Sequence, residues 1–135
     1  MTTKARKSIR SHRELEVYTL AFDAAMEIYG ATRAFPDDER FGLTSQIRRS
    51  SRSVCANLAE AWRKRRYPAA FVSKLCDAEG EAAETQAHLE FCVACKYLDR
   101  TAARRLYAAY NSILAIIVSM SHNADDWVIR KRQVS

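Results

Sequence analysis

Apolar residues recur at spacings of three and four in four successive stretches of this chain, and no stretch alternates apolar and polar residues over the length of a strand. This pattern limits the fold more than any other feature, because a period near 3.6 turns one face of each segment toward a core. The first stretch covers residues 14–35, with Leu15, Tyr18, Phe22, Ala25 and Tyr29 as its stripe. Ser11 and Glu14 fit a capping box ahead of it. Phe35-Pro36 ends it, since the residue before proline leaves the helical region and proline lacks the N–H donor. Pro36-Asp37-Asp38-Glu39 reads as one short helical turn, which Gly42 closes. A second helix is predicted over residues 43–65, with Ile47, Ser50, Val54, Leu58, Ala61 and Trp62 inward. The third starts at Pro68 and extends to about Leu98 through Phe71, Leu75, Ala78, Ala82, Thr85, Leu89 and Cys92. Asp99 or Thr101 caps the fourth, over residues 102–122, whose inward side is Leu106, Tyr110, Ile113, Ile117 and Met120.

Four long helices with short connections predict an all-α fold, an antiparallel up-down-up-down four-helix bundle. Residues 14–123 form it, between a basic arm at 1–13 and a tail at 124–135 where Trp127, Val128 and Ile129 make an apolar patch. A length of 135 residues suits one domain with one core. With 48% hydrophobic residues, three Gly and two Pro, the composition excludes a disordered, collagen-like or turn-rich β chain. No window approaches the ~18 uninterrupted apolar residues of a membrane span, and Met1 to Arg13 resembles no signal peptide. The expectation is a cytoplasmic protein without a membrane partner. Small residues and secondary apolar faces on helices two, three and four, among them Leu114 and Val118, further predict a homo-oligomer.

The net charge of +6 is unevenly distributed. Residues 1–13 carry five bases, Lys4, Arg6, Lys7, Arg10 and Arg13, and no acid. Residues 43–67 hold seven bases against one acid, whereas 14–36 and 68–98 are each at −3. On a helical wheel Arg48, Arg52, Arg63 and Arg66 fall about 120–180° from Val54, with Arg49 close by. Cys55, Ala56 and Ala59 are expected on the same outer face, where small side chains permit close approach. Arg48, Arg49, Arg52, Arg63, Lys64, Arg65 and Arg66 could therefore form a stripe that neutralises phosphates, with the arm as a second, sequence-independent hook. The competing reading pairs the same residues with acids of helices one and three, within the chain or across subunits.

No catalytic constellation is recognisable, so neither an enzyme nor a cofactor is expected. Asn57, Glu60 and Glu84 lie beside apolar stripes and read as a structural polar core. A carboxylate-bridged metal pair would require Glu-x-x-His motifs, and the sequence has none. His88, Cys92 and Cys95 share one helical face and could hold zinc if Cys55 or Cys76 supplied a fourth ligand. Free cysteine is more often a small core hydrophobe, and a Cys-x-x-Cys within a helix lacks the strand-helix context of a redox motif, so no metal is assigned. Tyr18, Tyr29, Tyr97, Tyr107, Tyr110 and Trp62 are expected to pack rather than stack on bases.

Phe35-Pro36 followed by Glu39, and then the run Phe41-Gly42-Leu43-Thr44-Ser45-Gln46-Ile47-Arg48-Arg49-Ser50, resembles the signature of the bacterial four-helix proteins encoded in intervening sequences of 23S ribosomal RNA genes. Ser53-Val54-Cys55-Ala56-Asn57-Leu58-Ala59-Glu60-Ala61 is similar to the pattern that follows it, as are Glu84-Thr85-Gln86 and Tyr97-Leu98 to the third helix. The likeness covers about residues 14–120. Two positions depart from it: Ala61 stands where glycine is usual and is expected to straighten the helix end, and Arg52 enlarges the basic face. The resemblance implies a ring-like homopentamer, no enzyme activity, and association with structured RNA or with an enzyme acting on nucleic acid. The accessory protein of diversity-generating retroelements is a similar basic pentamer that works with a reverse transcriptase.

Overall fold

Pro68 supplies a helical φ at no cost in hydrogen bonds, so the third helix begins where the sequence places it, and Asp99 accepts from the Ala102 N–H at 2.9 Å, which starts the fourth at Arg100, two residues before its expected start. In a computed structural model that describes residues 9–129, the helices are α1 (Glu16–Thr32), α2 (Leu43–Arg63), α3 (Pro68–Ala94) and α4 (Arg100–His122). Short 3-10 turns occupy His12–Glu14, Asp37–Glu39 and Ala124–Asp126, and no strand occurs among the described residues. Each helix packs on the next, and α4 returns to α1, which encloses a single core. The arm residues Lys4, Arg6 and Lys7 lie outside the described residues.

The predicted inward residues of α2, α3 and α4 are all buried. At the α2–α3 contact the core includes polar atoms. Thr85 Oγ1 donates to Ser50 Oγ at 2.8 Å, and Ser50 donates in turn to the Ile47 carbonyl at 3.3 Å. Between α3 and α4, Gln86 Nε2 donates to the Tyr107 carbonyl at 3.1 Å and to Asn111 Oδ1 at 2.9 Å. Thr32, Thr44 and Ser51 are the other buried polar residues among those described. Glu60 and Glu84, expected in a polar core, are instead exposed, and Asn57 is half-buried with its amide donating to the Ser53 carbonyl at 2.9 Å.

Helix α1 is phased differently from its expected stripe. Val17, Ala21, Ala24, Ala25 and Ile28 face the core, while Phe22 and Tyr29 are exposed. The inward direction is rotated by roughly 80° because alanines at 21 and 24 let α1 approach its neighbours closely, so small residues fill the seam and the rings border it. The helix also starts at Glu16, and Ser11 makes no side-chain cap; the Arg10 N–H instead donates to Glu14 Oε2 at 3.4 Å. Past α4, Trp127 and Val128 pack against the core as the tail patch, and the Ile129 N–H donates to the Arg65 carbonyl at 2.8 Å.

Candidate nucleic-acid interface

The connection that delivers α2 is built from the residues of the recognised signature. Glu39 Oε1 accepts from the Leu43 N–H at 3.1 Å, satisfying one orphan donor at the start of α2 with a carboxylate suited to that end of the dipole. Its other oxygen accepts from the Tyr97 hydroxyl at 2.9 Å, and the Tyr97 ring rests on Phe35 with centroids 5.3 Å apart. A Cβ at Gly42 would stand 2.8 Å from Glu39 Oε1, so any larger residue there requires this carboxylate to shift. Donation to Glu39 favours the protonated phenol, and Tyr97 is pushed up to about 12.

The helix so positioned presents its bases unequally. Arg49, Arg52, Arg63, Lys64 and Arg66 are exposed, and none has an ion-pair partner among the described residues. Arg10, from the arm, is exposed as well. Arg48 is half-buried and committed to the α1–α2 seam: its Nε donates to Thr32 Oγ1 at 2.7 Å, and its guanidinium lies 4.6 Å from the Tyr29 ring centroid. Arg65 is committed likewise, stacked 3.4 Å from the Trp62 ring centroid with Nε donating to the Trp62 carbonyl at 2.7 Å. Cys55, expected on the outer face, is buried, and burial pushes its thiol up to about 11. The outer face is thus narrower than the helical wheel suggests.

Glu60, the acid of α2, and Glu27 of α1 pair with other cations. Glu60 pairs with Lys74 at 2.9 Å, and Glu27 with Arg105 at 2.6 Å. His88 Nε2 lies 3.3 Å from Glu84 Oε2, Cys92 is buried, and Cys95 is exposed at the helix end. His88, Cys92 and Cys95 therefore do not converge, and no group of three or more His, Cys, Asp or Glu side chains among the described residues is placed to hold a metal. No helix among those residues is long and apolar enough to cross a membrane.

Sequence reasoning missed the exposed row on α1. Phe22 is 47% exposed, Met26 53% and Tyr29 44%, and with Tyr18 they border a groove of about 290 Å³ whose far wall is Arg48, Ser51 and Arg52. The available signal was the presence of two overlapping stripes on α1, one aromatic and one rich in alanine, of which only one can face the core.

These features define a small all-α protein that turns a basic helix face to solvent. The family model of the 23S rRNA-intervening sequence protein matches residues 13–119, and the chain belongs to that family. A solved structure from Bacteroides thetaiotaomicron, a protein of unknown function from the S23 ribosomal protein family, is similar at a TM-score of 0.71 and 26% identity. That likeness covers 78% of this chain and 95% of the other. Comparison with curated proteins returns no match.

Proposed function

We propose that this protein is a non-enzymatic, homo-oligomeric scaffold in the cytoplasm that associates with RNA through phosphate contacts on the outer face of α2. The observation that carries the reading is the set Arg49, Arg52, Arg63, Lys64 and Arg66, all exposed and none in a salt bridge among the described residues, with Lys64 alone near an acid, Glu60, which Lys74 already pairs. Cations outside salt bridges neutralise phosphates and release counterions, a sequence-independent source of affinity. The family supports the reading through its link to 23S ribosomal RNA genes.

In this proposal the helices run up-down-up-down and the protomers close a ring-like homopentamer, which repeats the basic face around the assembly. Support for self-association comes from α4, where Ala115 and Val118 are exposed beside the half-buried Leu114. A structural or adaptor role is the second reading, favoured by the acids Asp77 and Glu84 on the exposed side of α3, which could receive arginines of another copy. Arg52→Glu separates the two. Under the RNA reading, the variant loses affinity for RNA and keeps its assembly mass; under the adaptor reading, the mass falls.

A further inference from the structure

The groove between α1 and α2 sets an exposed aromatic row, which the phosphate reading leaves unused, against two arginines of α2. One wall is the row Tyr18, Phe22, Met26 and Tyr29, and the other is formed largely by Arg48 and Arg52. No acid lines it. The acids of α1, Glu16, Asp23 and Glu27, fall about 140–180° around the helix from Tyr18, and Glu27 is engaged with Arg105 of α4. The rings are already arranged along the row: Tyr18 and Phe22 have centroids 6.1 Å apart and planes inclined by 28°. Arg48 covers the Tyr29 ring from one side while the residue keeps 44% of its surface exposed, so the ring has room for a second planar partner. Of the five guanidinium N–H groups of Arg48, the bonds to Thr32 and to the Tyr29 carbonyl use two, leaving donors for an anion.

We infer that this groove binds unpaired nucleic acid, with bases stacked on Phe22 and Tyr29 and the adjoining phosphates on Arg48 and Arg52. The inference rests on the nucleic-acid reading above and gives it a substrate class: single strands rather than duplex. A duplex buries its base faces in its own stack and offers such a row nothing, whereas every unpaired base has a free π face. From Tyr18 to Tyr29 the row runs roughly 16 Å, long enough for a few nucleotides. Charge complementarity selects this occupant. Two arginines and no acid line the groove beside exposed rings, a lining suited to a polyanion that also carries flat faces.

The test is fluorescence anisotropy at one fixed salt concentration with the full chain, using a labelled single-stranded RNA of mixed sequence and the duplex made from it. The expected result is single-strand binding tighter than duplex binding by about tenfold. Phe22→Ala with Tyr29→Ala should abolish that preference while duplex affinity is unchanged. Phe22→Trp should retain the preference and show quenching of the new indole by the single strand but not by the duplex. Both positions are exposed, so neither variant opens the core. Equal affinity for both RNAs, or a double alanine variant that keeps the preference, would overturn the inference while leaving phosphate binding intact. A double variant of altered sedimentation mass would overturn it too, making the groove an interface between copies. Failure of both RNAs to bind at low salt would remove the underlying nucleic-acid reading as well.

Discussion

Glu39 connects three parts of the chain through one carboxylate, and the residues around it owe their identities to that junction. It caps α2 at Leu43, receives the Tyr97 hydroxyl, and stands where a Cβ at position 42 would meet it at 2.8 Å. Gly42→Ala should force the carboxylate off the cap and cost about 1–2 kcal/mol, measured by urea unfolding with an unchanged slope. The signature run therefore has a structural explanation for Phe35, Glu39, Gly42 and Arg48 without invoking a ligand. Titration gives a second residue-scale expectation. Burial pushes the Cys55 and Cys92 thiols up to about 11, and the bond to Glu39 pushes the Tyr97 phenol up to about 12. All three are raised in the fold, so the folded state holds protons that the unfolded chain releases at lower pH. Their contribution is complete below about pH 8.5 and is lost as pH rises through about 11–12. Thermal melts at rising pH should show a falling midpoint across that window, and a midpoint constant up to pH 11 would contradict the assignment.

Among the elements, α3 ends in a way the sequence conceals. The Lys96 N–H donates to the Val93 carbonyl and the Tyr97 N–H to the Cys92 carbonyl, both at 2.9 Å, a Schellman arrangement that puts Lys96 at φ 62. Glycine is the usual residue there, and Lys96→Gly should stabilise the protein by about 0.5–1 kcal/mol in chemical unfolding. With lysine at that position the helix reads on to Leu98, four residues past its actual end at Ala94. The phase of α2, α3 and α4 was legible, because bulky aliphatic and aromatic residues recur on only one side of each. Helix α1 was misread because alanine carries little hydrophobic weight in a pattern, yet Ala21 and Ala24 pack where a larger side chain would hold the helices apart. The same rotation exposes Phe22, Met26 and Tyr29, so the fold error and the missed groove have one cause.

At the scale of the whole molecule, the separation of charge survives folding. Helix α2 turns unpaired bases outward, and α3 exposes Asp77 and Glu84. Sequence position located the basic residues but could not divide those that extend into solvent from those held in place by their neighbours. Arg48 and Arg65 are taken up by Tyr29, Thr32 and Trp62, partners 16 or more residues away for Arg48 and within the same turn for Arg65. The free set, Arg49, Arg52, Arg63, Lys64 and Arg66, carries the central claim, and each contact that neutralises a phosphate should steepen the salt dependence of binding by about 0.7–0.9 in a double-logarithmic plot. The most direct measurement is the affinity of the full chain for a structured RNA at several salt concentrations, beside the double variant Arg49→Gln, Arg52→Gln. The natural chain should show a steep negative slope and the variant a slope shallower by about 1.4–1.8, at unchanged assembly mass. Equal slopes for the two proteins, or no binding at low salt, would contradict it.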